Sequence, residues 1–232
     1  MATFQRARSE EQREARRQAI LDAAAGMLAE MPVAELTLNE LSRRVGLAKS
    51  NVLRYFETRE AVLLELLDTA WQDWLGELAI DLVTAIRAGA PAAERGEQVA
   101  ATLAESLATR PVLCDLLSAQ AAVLERNVSP RIAAEYKRAT MASIDALGRM
   151  TRRPLPELGD DEARQLAGAT ILIAGGLWPH TQPSEAMQAA YRADPGLCAM
   201  RLDFADTLRT MLEVLIAGLL ARAASPAEPA PR

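Results

Sequence analysis

The chain has 232 residues, half of them apolar and only 4% aromatic, and its formal net charge is −5. This balance argues against a protein that is basic over its whole surface, and two cysteines are too few for a disulfide framework or a cysteine-rich metal site. Alanine and leucine, which favour helices, are abundant, whereas strand-forming aromatic residues are scarce. The composition therefore predicts an all-helical fold, in which we expect Cys114 and Cys198 to be reduced and buried.

The charge is distributed unevenly along the chain. Residues 1–66 contain ten basic and ten acidic residues, whereas the rest of the chain contains 16 basic and 21 acidic residues. Five arginines lie close to the N-terminus: Arg6, Arg8, Arg13, Arg16 and Arg17. A solvated charged face would explain this distribution, and so would a nucleic-acid-binding segment fused to an acidic partner domain.

The first part of the sequence predicts an arm and then a helix. Residues 1–9 have the composition of a flexible basic arm. A helix is predicted from Ser9 to Glu30, because apolar residues recur at helical spacing from Ile20 onwards. Pro32 follows this helix, and proline cannot continue a helix.

Turn signals divide the next segment into three helices. Thr37 and Glu40 have the spacing of a capping box, in which the threonine hydroxyl accepts from the third-residue amide and the glutamate reaches back. The helix that they begin stops at Gly46, because the left-handed conformation that ends helices is cheap for glycine. A third helix is predicted over residues 48–55 and a long fourth helix over residues 59–87.

The remaining sequence predicts further helices and no membrane span. These helices cover residues 93–109, 111–126, 130–150, 160–178 and 203–223. Residues 179–202 contain prolines and glycines and predict a loop with one helical turn near residues 186–191. The longest apolar run, Leu166 to Trp178, is too short to cross a bilayer, and the N-terminus does not resemble a signal peptide. We therefore expect a soluble, cytoplasmic protein that does not bind membranes.

The most informative segment is Thr37 to Ala61, which contains two short helices joined by a glycine turn. Val52 and Phe56 give the second of these helices an inward face. Its outward positions are then Lys49, Ser50, Asn51, Arg54 and Tyr55. Lysine, serine and asparagine at the start of a helix suit base edges and phosphates in a DNA major groove. The arrangement predicts a helix-turn-helix.

Residues 16–66 resemble the N-terminal domain of the tetracycline-repressor-like (TetR) family. The matching residues are Ile20-Leu21-Asp22-Ala23-Ala24, Thr37-Leu38-Asn39-Glu40-Leu41, Val45-Gly46-Leu47 and Tyr55-Phe56-Glu57-Thr58-Arg59-Glu60-Ala61. The resemblance implies a three-helix helix-turn-helix DNA-binding domain over residues 1–66. It further implies a helical ligand-binding and dimerisation domain over residues 67–224, and we expect the tail, residues 225–232, to be disordered.

The resemblance places DNA contacts on the second, third and fourth helices. We expect these contacts at Thr37, Arg43, Arg44, Lys49, Ser50, Asn51, Arg54, Tyr55, Thr58 and Arg59. In the alternative interpretation, the charged residues among them are ordinary solvated side chains. Several positions depart from the family pattern: Ala48, Ser50, Asn51, Leu53 and Arg59. Ala48 removes a helix cap, which costs about 1 kcal/mol of stability, and Leu53 replaces a tyrosine that often contacts phosphate. Arg6 and Arg8 are candidates for the minor groove.

The resemblance also implies a ligand cavity and a dimer interface in the C-terminal part. Trp71, Trp74, Tyr136, Met141 and Trp178 are candidates to line the cavity, for an unidentified and largely apolar small-molecule effector; alternatively they fill the core. In the family the last two long helices form a four-helix dimer bundle. Small residues would permit close approach there: Ala167, Gly168, Ala174 and Gly175. The alternative for these two helices is a purely intramolecular core.

No catalytic constellation is evident in the sequence. His180 is the single histidine and supplies neither a triad nor a metal cluster. We therefore expect no enzyme activity, no metal and no cofactor. The predicted function is a homodimeric transcription regulator, a repressor that releases a palindromic double-stranded operator when its ligand binds. The alternatives are a helical small-molecule-binding protein with a vestigial DNA-binding domain, and a helical enzyme.

Overall fold

The computed structural model describes residues 2–224, with side chains from residue 10 onwards. Every regular element in this part of the chain is a helix, which confirms the all-helical prediction. The helices are α1 (Ala2–Leu28), α2 (Leu38–Arg44), α3 (Lys49–Val52), α4 (Arg59–Ala85), α5 (Ala92–Ala108), α6 (Pro111–Ala119), α7 (Pro130–Arg152), α8 (Asp160–Leu177), α9 (Glu185–Ala193), α10 (Pro195–Cys198) and α11 (Phe204–Ala224). The predicted disordered tail, residues 225–232, lies outside the described residues.

Helix α1 begins at Ala2, so the backbone of residues 2–9 is helical and the prediction of a flexible arm there is wrong. The reason is local: the segment from Gln5 to Gln18 consists largely of glutamine, arginine, glutamate and alanine, which favour helices, and contains neither glycine nor proline. The side chains of Arg6 and Arg8, which were candidates for the minor groove, lie outside the described side chains.

The chain divides into two compact units. The N-terminal unit contains residues 2–69 and 119–137, and the C-terminal unit contains residues 70–118 and 138–224. Helix α4 therefore contributes its first part to one unit and its remainder to the other. The sequence did not predict that residues 119–137 group with the N-terminal unit.

The core of the N-terminal unit consists of apolar side chains from α1 to α4. Its buried members include Ile20, Ala24, Met27, Leu36, Leu41, Val52, Phe56, Val62 and Leu63. Burying a side chain of leucine or phenylalanine size stabilises the fold by about 1.5–3 kcal/mol. Val52 is fully buried and Phe56 nearly so, and these two residues fix which face of α3 points away from the core.

Two local signals set the path of the chain around α2. The backbone N–H of Glu40 donates to Oγ1 of Thr37 over 3.1 Å, as the capping box predicts. The Glu40 carboxylate pairs instead with Arg43, so the second half of the box is absent. Gly46 adopts a φ of +66° in the turn before α3, which confirms the predicted left-handed helix end.

Residues 119–137 contain a π-helical turn, Gln120–Leu124, that interrupts the single helix predicted over residues 111–126. The guanidinium of Arg131 donates to a carboxylate oxygen of Glu57 over 2.8 Å, which ties this segment to the turn before α4. Hydrogen bonding by Ser129, and then by Arg131, lowers the pKa of Glu57 below its usual value.

In the C-terminal unit α5 packs closely against α11, and α8 also packs against α11. The buried side chains there include Val99, Leu103, Leu107, Leu166, Leu208, Leu212, Ile216 and Leu219. Gly175 of α8 faces the backbone of α6, where an added Cβ would lie 3.1 Å from the carbonyl oxygen of Leu117. Gly175, Ala167 and Ala174 are buried within the unit, so their close approach is intramolecular.

Residues 178–202 are more helical than predicted. A 3-10 helix, Trp178–Thr181, is followed by α9 and α10, neither of which buries a residue. Cys198 in α10 is exposed, so the prediction that both cysteines are buried is wrong for this one. Within residues 2–224 no single helix is long and apolar enough to span a membrane; one pair bent by 90°, Ala92–Ala108 and Pro111–Leu124, meets the criterion by length and composition only.

Candidate functional site

Helix α3 presents a row of polar side chains to solvent. Lys49, Ser50, Asn51 and Arg54 are exposed, and Tyr55 is half-buried. Among the described residues, the side chains of these four exposed residues take part in no ion pair and no intramolecular hydrogen bond. The predicted outward face is therefore present, with its donors and acceptors open to a partner, but the helix predicted over residues 48–55 ends at Val52, so Arg54 and Tyr55 lie in the turn that follows it.

The helix caps around α3 follow the sequence prediction. Ala48 at the start of α3 makes no side-chain cap hydrogen bond. Thr58 caps α4, because its Oγ1 accepts from the backbone N–H of Ala61 over 3.1 Å. Thr37 and Thr58 thus cap α2 and α4, the helices that precede and follow α3 along the chain.

Three predicted DNA contacts already have partners inside the N-terminal unit. Arg43 pairs with Glu40. Arg44 donates to Glu30 over 3.0 Å, and this hydrogen bond lowers the pKa of the Glu30 carboxyl group. The third is Arg59, whose guanidinium also has partners within the unit.

Arg59 lies in the first turn of α4, and its side chain is only 20% exposed. Its guanidinium donates to the backbone carbonyl oxygen of Val33, in the connection between α1 and α2. It also lies 3.8 Å from the carboxylate of Glu60. These contacts give Arg59 a structural task that the sequence pattern did not indicate.

Arg17 of α1 contacts both α4 and Phe56. It pairs with Glu65 of α4, and its guanidinium lies 4.9 Å from the centre of the Phe56 ring. A cation over an aromatic face stabilises by about 0.5–1 kcal/mol when exposed. Arg17 therefore joins α1 to α4 beside Phe56, the residue that follows the turn after α3.

The sequence did not identify an open groove of about 1060 Å³ beside α3. It is lined by Gln12, Arg13, Ala15, Arg16, Ala19, Arg54 and Tyr55. Only the clustering of arginines near the N-terminus pointed towards this surface, and it did not indicate which of them share a face with α3.

The two tryptophans of α4 are almost completely buried in the C-terminal unit but differ in their hydrogen bonding. Trp74 donates from Nε1 to Oγ of Ser106 over 3.0 Å. Nε1 of Trp71 is buried and has no hydrogen-bond partner among the described residues. A buried donor without an acceptor is unusual and requires an explanation.

A second buried polar atom without a partner is Oγ1 of Thr140 on α7. Helices α4 and α7 are joined by a hydrogen bond of 2.9 Å from Nε2 of Gln72 to Oγ of Ser143. Trp71 directly precedes Gln72, and Thr140 lies about one helical turn before Ser143. Trp71 and Thr140 thus each lie within one helical turn, along their own helix, of a residue that joins α4 to α7.

The other residues proposed for a ligand cavity are dispersed. Tyr136 is buried in the segment that belongs to the N-terminal unit. Met141 is 65% exposed and therefore does not line an interior cavity. Trp178 is half-buried and packs edge-on against Phe204 with ring centres 5.1 Å apart, beside an open surface pocket.

Within residues 2–224, no three His, Cys, Asp or Glu side chains form a group that could hold a metal ion. His180 is exposed in the 3-10 helix after α8.

Comparisons with known proteins match nearly the whole chain to one family. Residues 20–66 match the family model described as bacterial regulatory proteins of the tetR family. Residues 68–223 match the model described as a tetracyclin repressor-like C-terminal domain. No match was found among curated proteins.

Solved structures share the fold at low sequence identity. FadR of Thermus thermophilus, a TetR-family transcriptional repressor in complex with lauroyl-CoA, is 21% identical over 93% of this chain and 99% of its own, with a TM-score of 0.54. FadR of Bacillus subtilis in complex with stearoyl-CoA is 17% identical over 87% and 98%, with a TM-score of 0.54. A TetR transcriptional regulator from Rhodococcus sp. RHA1 is 13% identical over 90% and 97%, with a TM-score of 0.54.

Proposed function

The chain belongs to the tetracycline-repressor (TetR) family of ligand-responsive, DNA-binding transcription regulators, and on this basis we propose that it is a homodimeric repressor. It binds a palindromic operator through two copies of α3, because a two-fold dimer presents the same helix twice. A ligand in the C-terminal unit shifts the population towards a conformation whose α3 spacing does not fit the operator. Members of this family are regulators rather than enzymes, and we propose that the protein acts in the cytoplasm, where its DNA lies.

The observation that supports DNA recognition is the open polar face of α3. We propose that Lys49, Ser50 and Asn51 contact base edges, because they lie at the start of the helix and are exposed. Arg54 and Tyr55 follow the helix and are assigned to phosphates, together with Thr37 and Thr58 at the starts of α2 and α4. Phosphate contacts by Arg43 and Arg44 would require them to exchange their glutamate partners.

The test of DNA recognition begins with selection of bound duplexes from a random pool by the purified full-length protein. An imperfect palindrome is expected, with half-site centres about 34–36 Å apart. Asn51→Ala should then weaken the selected operator relative to random duplex by about 1–3 kcal/mol, if the amide makes a bidentate base contact. Asn127→Ala is the matched control, because Asn127 is also exposed but lies outside α3.

We propose that the ligand site lies at the contact between α4 and α7 in the C-terminal unit. Trp71 and Thr140 support this assignment, because each carries a buried polar atom without a partner and lies within one helical turn of Gln72 or Ser143, which join the two helices. A ligand with a hydrogen-bond acceptor would satisfy the indole N–H, and we expect a largely apolar molecule, because ligand pockets are lined mostly by apolar side chains. Met141 is not part of this proposed site, because it is exposed.

The FadR structures named above hold lauroyl-CoA and stearoyl-CoA, and we propose a long-chain acyl thioester as the ligand class to test first. Calorimetric titration with lauroyl-CoA, and release of the selected operator on its addition, would support the proposal. Trp71→Phe should weaken binding by about 1 kcal/mol through loss of one hydrogen bond, whereas Trp74→Phe should leave affinity nearly unchanged. Ligand binding without any selected DNA would favour the vestigial alternative.

We propose that the homodimer forms through α8 and α11. The outward face of these helices combines exposed apolar side chains with small residues: Leu172, Gly176, Met211, Val214, Ala217 and Gly218. Leu172 is 77% exposed and Val214 is 71% exposed, and apolar exposure of this kind marks an interaction surface. Small residues beside them permit a second helix to approach closely.

A further inference from the structure

A groove on the N-terminal unit lies outside the helix-turn-helix pattern. One wall is formed by α1, with Gln12, Arg13, Arg16 and two alanines, and the other by Arg54 and Tyr55 at the end of α3. The groove is open and has a volume of about 1060 Å³.

The charges on α1 are separated between two faces. At about 100° per residue, Gln12 and Arg16 share one face, and Arg13 flanks it. Two carboxylates of the same helix, Glu10 and Glu14, project from the opposite face, Glu11 flanks the groove face on the side away from Arg13, and none of the three lines the groove. The charged residues that line this wall of the groove are therefore all basic.

The arginines of the groove also differ from other arginines of this unit in their partners. Arg17, Arg43 and Arg44 each pair with a glutamate. Arg13 and Arg16 are exposed and have no carboxylate partner among the described residues, and the same holds for Arg54 on the other wall. Guanidinium groups without internal partners can give all their donors to an external anion.

We infer that α1 forms a second DNA contact, in which Arg13 and Arg16 bind the phosphodiester backbone beside the bases that α3 reads. Arg54 and the Tyr55 hydroxyl complete the site from the opposite wall, and Tyr55 is half-buried, which holds its ring in place. The inference rests on the proposed DNA recognition by α3. It predicts a footprint that extends beyond the bases contacted by α3 and affinity that is independent of sequence at this contact.

The test compares Arg13→Gln/Arg16→Gln with Arg149→Gln/Arg153→Gln. The control pair is also exposed and removes the same charge, but it lies at the end of α7 in the C-terminal unit. Affinity for the selected operator and for random duplex is measured by fluorescence anisotropy at several salt concentrations. Arg13→Lys/Arg16→Lys keeps the charge and should retain most of the affinity.

The variant dimer loses four phosphate contacts, two in each subunit, which should reduce the slope of log K against log salt by about four units for both duplexes. Between roughly 50 and 200 mM salt, the affinity of the wild-type protein should then fall about a hundredfold more than that of the variant. The ratio of operator to random affinity should not change, and hydroxyl-radical protection should disappear at the flanking backbone only.

Two results would overturn the inference. If the Arg13→Gln/Arg16→Gln variant keeps the wild-type salt slope and footprint, the groove does not contact DNA, although α3 still does. An equal loss in the α7 control shows a general charge effect. If the wild-type protein itself selects no duplex, the proposed recognition by α3 fails as well, and the two failures are thereby distinguished.

Discussion

The indole N–H of Trp74 donates to Oγ of Ser106 over 3.0 Å, inside the C-terminal unit. Three residues earlier on the same helix, the indole N–H of Trp71 is equally buried and has no partner. Leaving a buried donor unsatisfied costs about 1–3 kcal/mol. Trp74 thus joins α4 to α5, whereas Trp71 keeps a donor available at the proposed ligand site.

Ser106→Ala should therefore lower the free energy of unfolding by about 1–3 kcal/mol, because it leaves the Trp74 N–H without its acceptor. The measurement is urea denaturation of the dimer at fixed protein concentration. In a Trp74→Phe background the same change should cost much less, since no donor remains to be satisfied. Equal losses in both backgrounds would show that the hydrogen bond does not couple the two residues.

The turn between α2 and α3 supports a second prediction. Gly46 has a φ of +66°, and no atom lies within 4 Å of the position that a Cβ would occupy. Gly46→Ala should therefore lower stability by about 1–2 kcal/mol through backbone strain alone. The matched control is Gly26→Ala in α1, which also meets open space but should stabilise by about 0.5–1 kcal/mol. Similar effects at both positions would contradict the backbone explanation.

The elements that the sequence predicted correctly depend on neighbouring residues. The Thr37 cap, the left-handed Gly46 and the burial of Val52 and Phe56 all follow from signals within a few positions. The bounds of α4, α5, α7 and α8 were predicted within a few residues for the same reason, whereas the helix predicted over residues 111–126 is interrupted after Ala119. Helix α9 was predicted only as one turn and α10 was missed, because the prolines and glycines of this segment also fit a loop.

Other parts of the site depend on contacts between distant positions, which one sequence does not reveal. The sequence predicts both Arg44 and Arg59 as DNA contacts. In the structure Arg44 pairs with Glu30, and Arg59 donates to the Val33 carbonyl oxygen. Nothing in the spacing of Trp71 and Trp74 indicates which of them finds Ser106. The groove between α1 and Arg54 likewise exists only once both elements are packed.

The proposed dimer interface supports a prediction on assembly. Val214→Glu should give a folded monomer, because the side chain is exposed in the single chain but would be buried with an unpaired charge in the dimer. Leu172→Glu on α8 should act in the same way. Leu215, next to Val214 on α11, is half-buried, so a charge there would also disturb the unit itself. Sedimentation at micromolar concentration checks the result, and dimers of both variants would exclude this interface.

The two cysteines should react differently with thiol reagents. Cys114 is buried, and burial raises the pKa of its thiol to about 12, so it stays protonated at neutral pH. Cys198 is exposed, and the thiolate is the reactive form. At pH 8 a disulfide reagent should therefore label one thiol per native chain and two in guanidinium. Cys198→Ser should abolish labelling of the native protein, and rapid labelling of Cys114 would contradict its burial.

The same pKa shift has a consequence for stability at alkaline pH. The unfolded chain releases the Cys114 proton near pH 9, its ordinary value, whereas the folded protein holds it to about pH 12. The stabilisation is therefore fully present below pH 9 and is lost as the pH rises towards 12. Cys114→Ala should remove this part of the alkaline decline, which urea denaturation at a series of pH values measures.

Arg59 allows the sequence interpretation and the structural one to be separated by experiment. If Arg59 were a phosphate contact, Arg59→Ala would lower the salt slope of DNA binding by about one unit per subunit, roughly two for the dimer, for all sequences. The structure gives it another task, because its guanidinium donates to the Val33 carbonyl and its side chain is only 20% exposed. We therefore expect Arg59→Ala to lower the free energy of unfolding by about 1–3 kcal/mol and to leave the salt slope unchanged.

Arg54→Ala is the matched control: Arg54 is exposed and has no partner within the described residues, so its loss should reduce the slope and leave stability intact. If Arg59→Ala kept full stability and lowered the salt slope by about one unit per subunit, Arg59 would contact phosphate directly, and its hydrogen bond to Val33 would have to break on DNA binding.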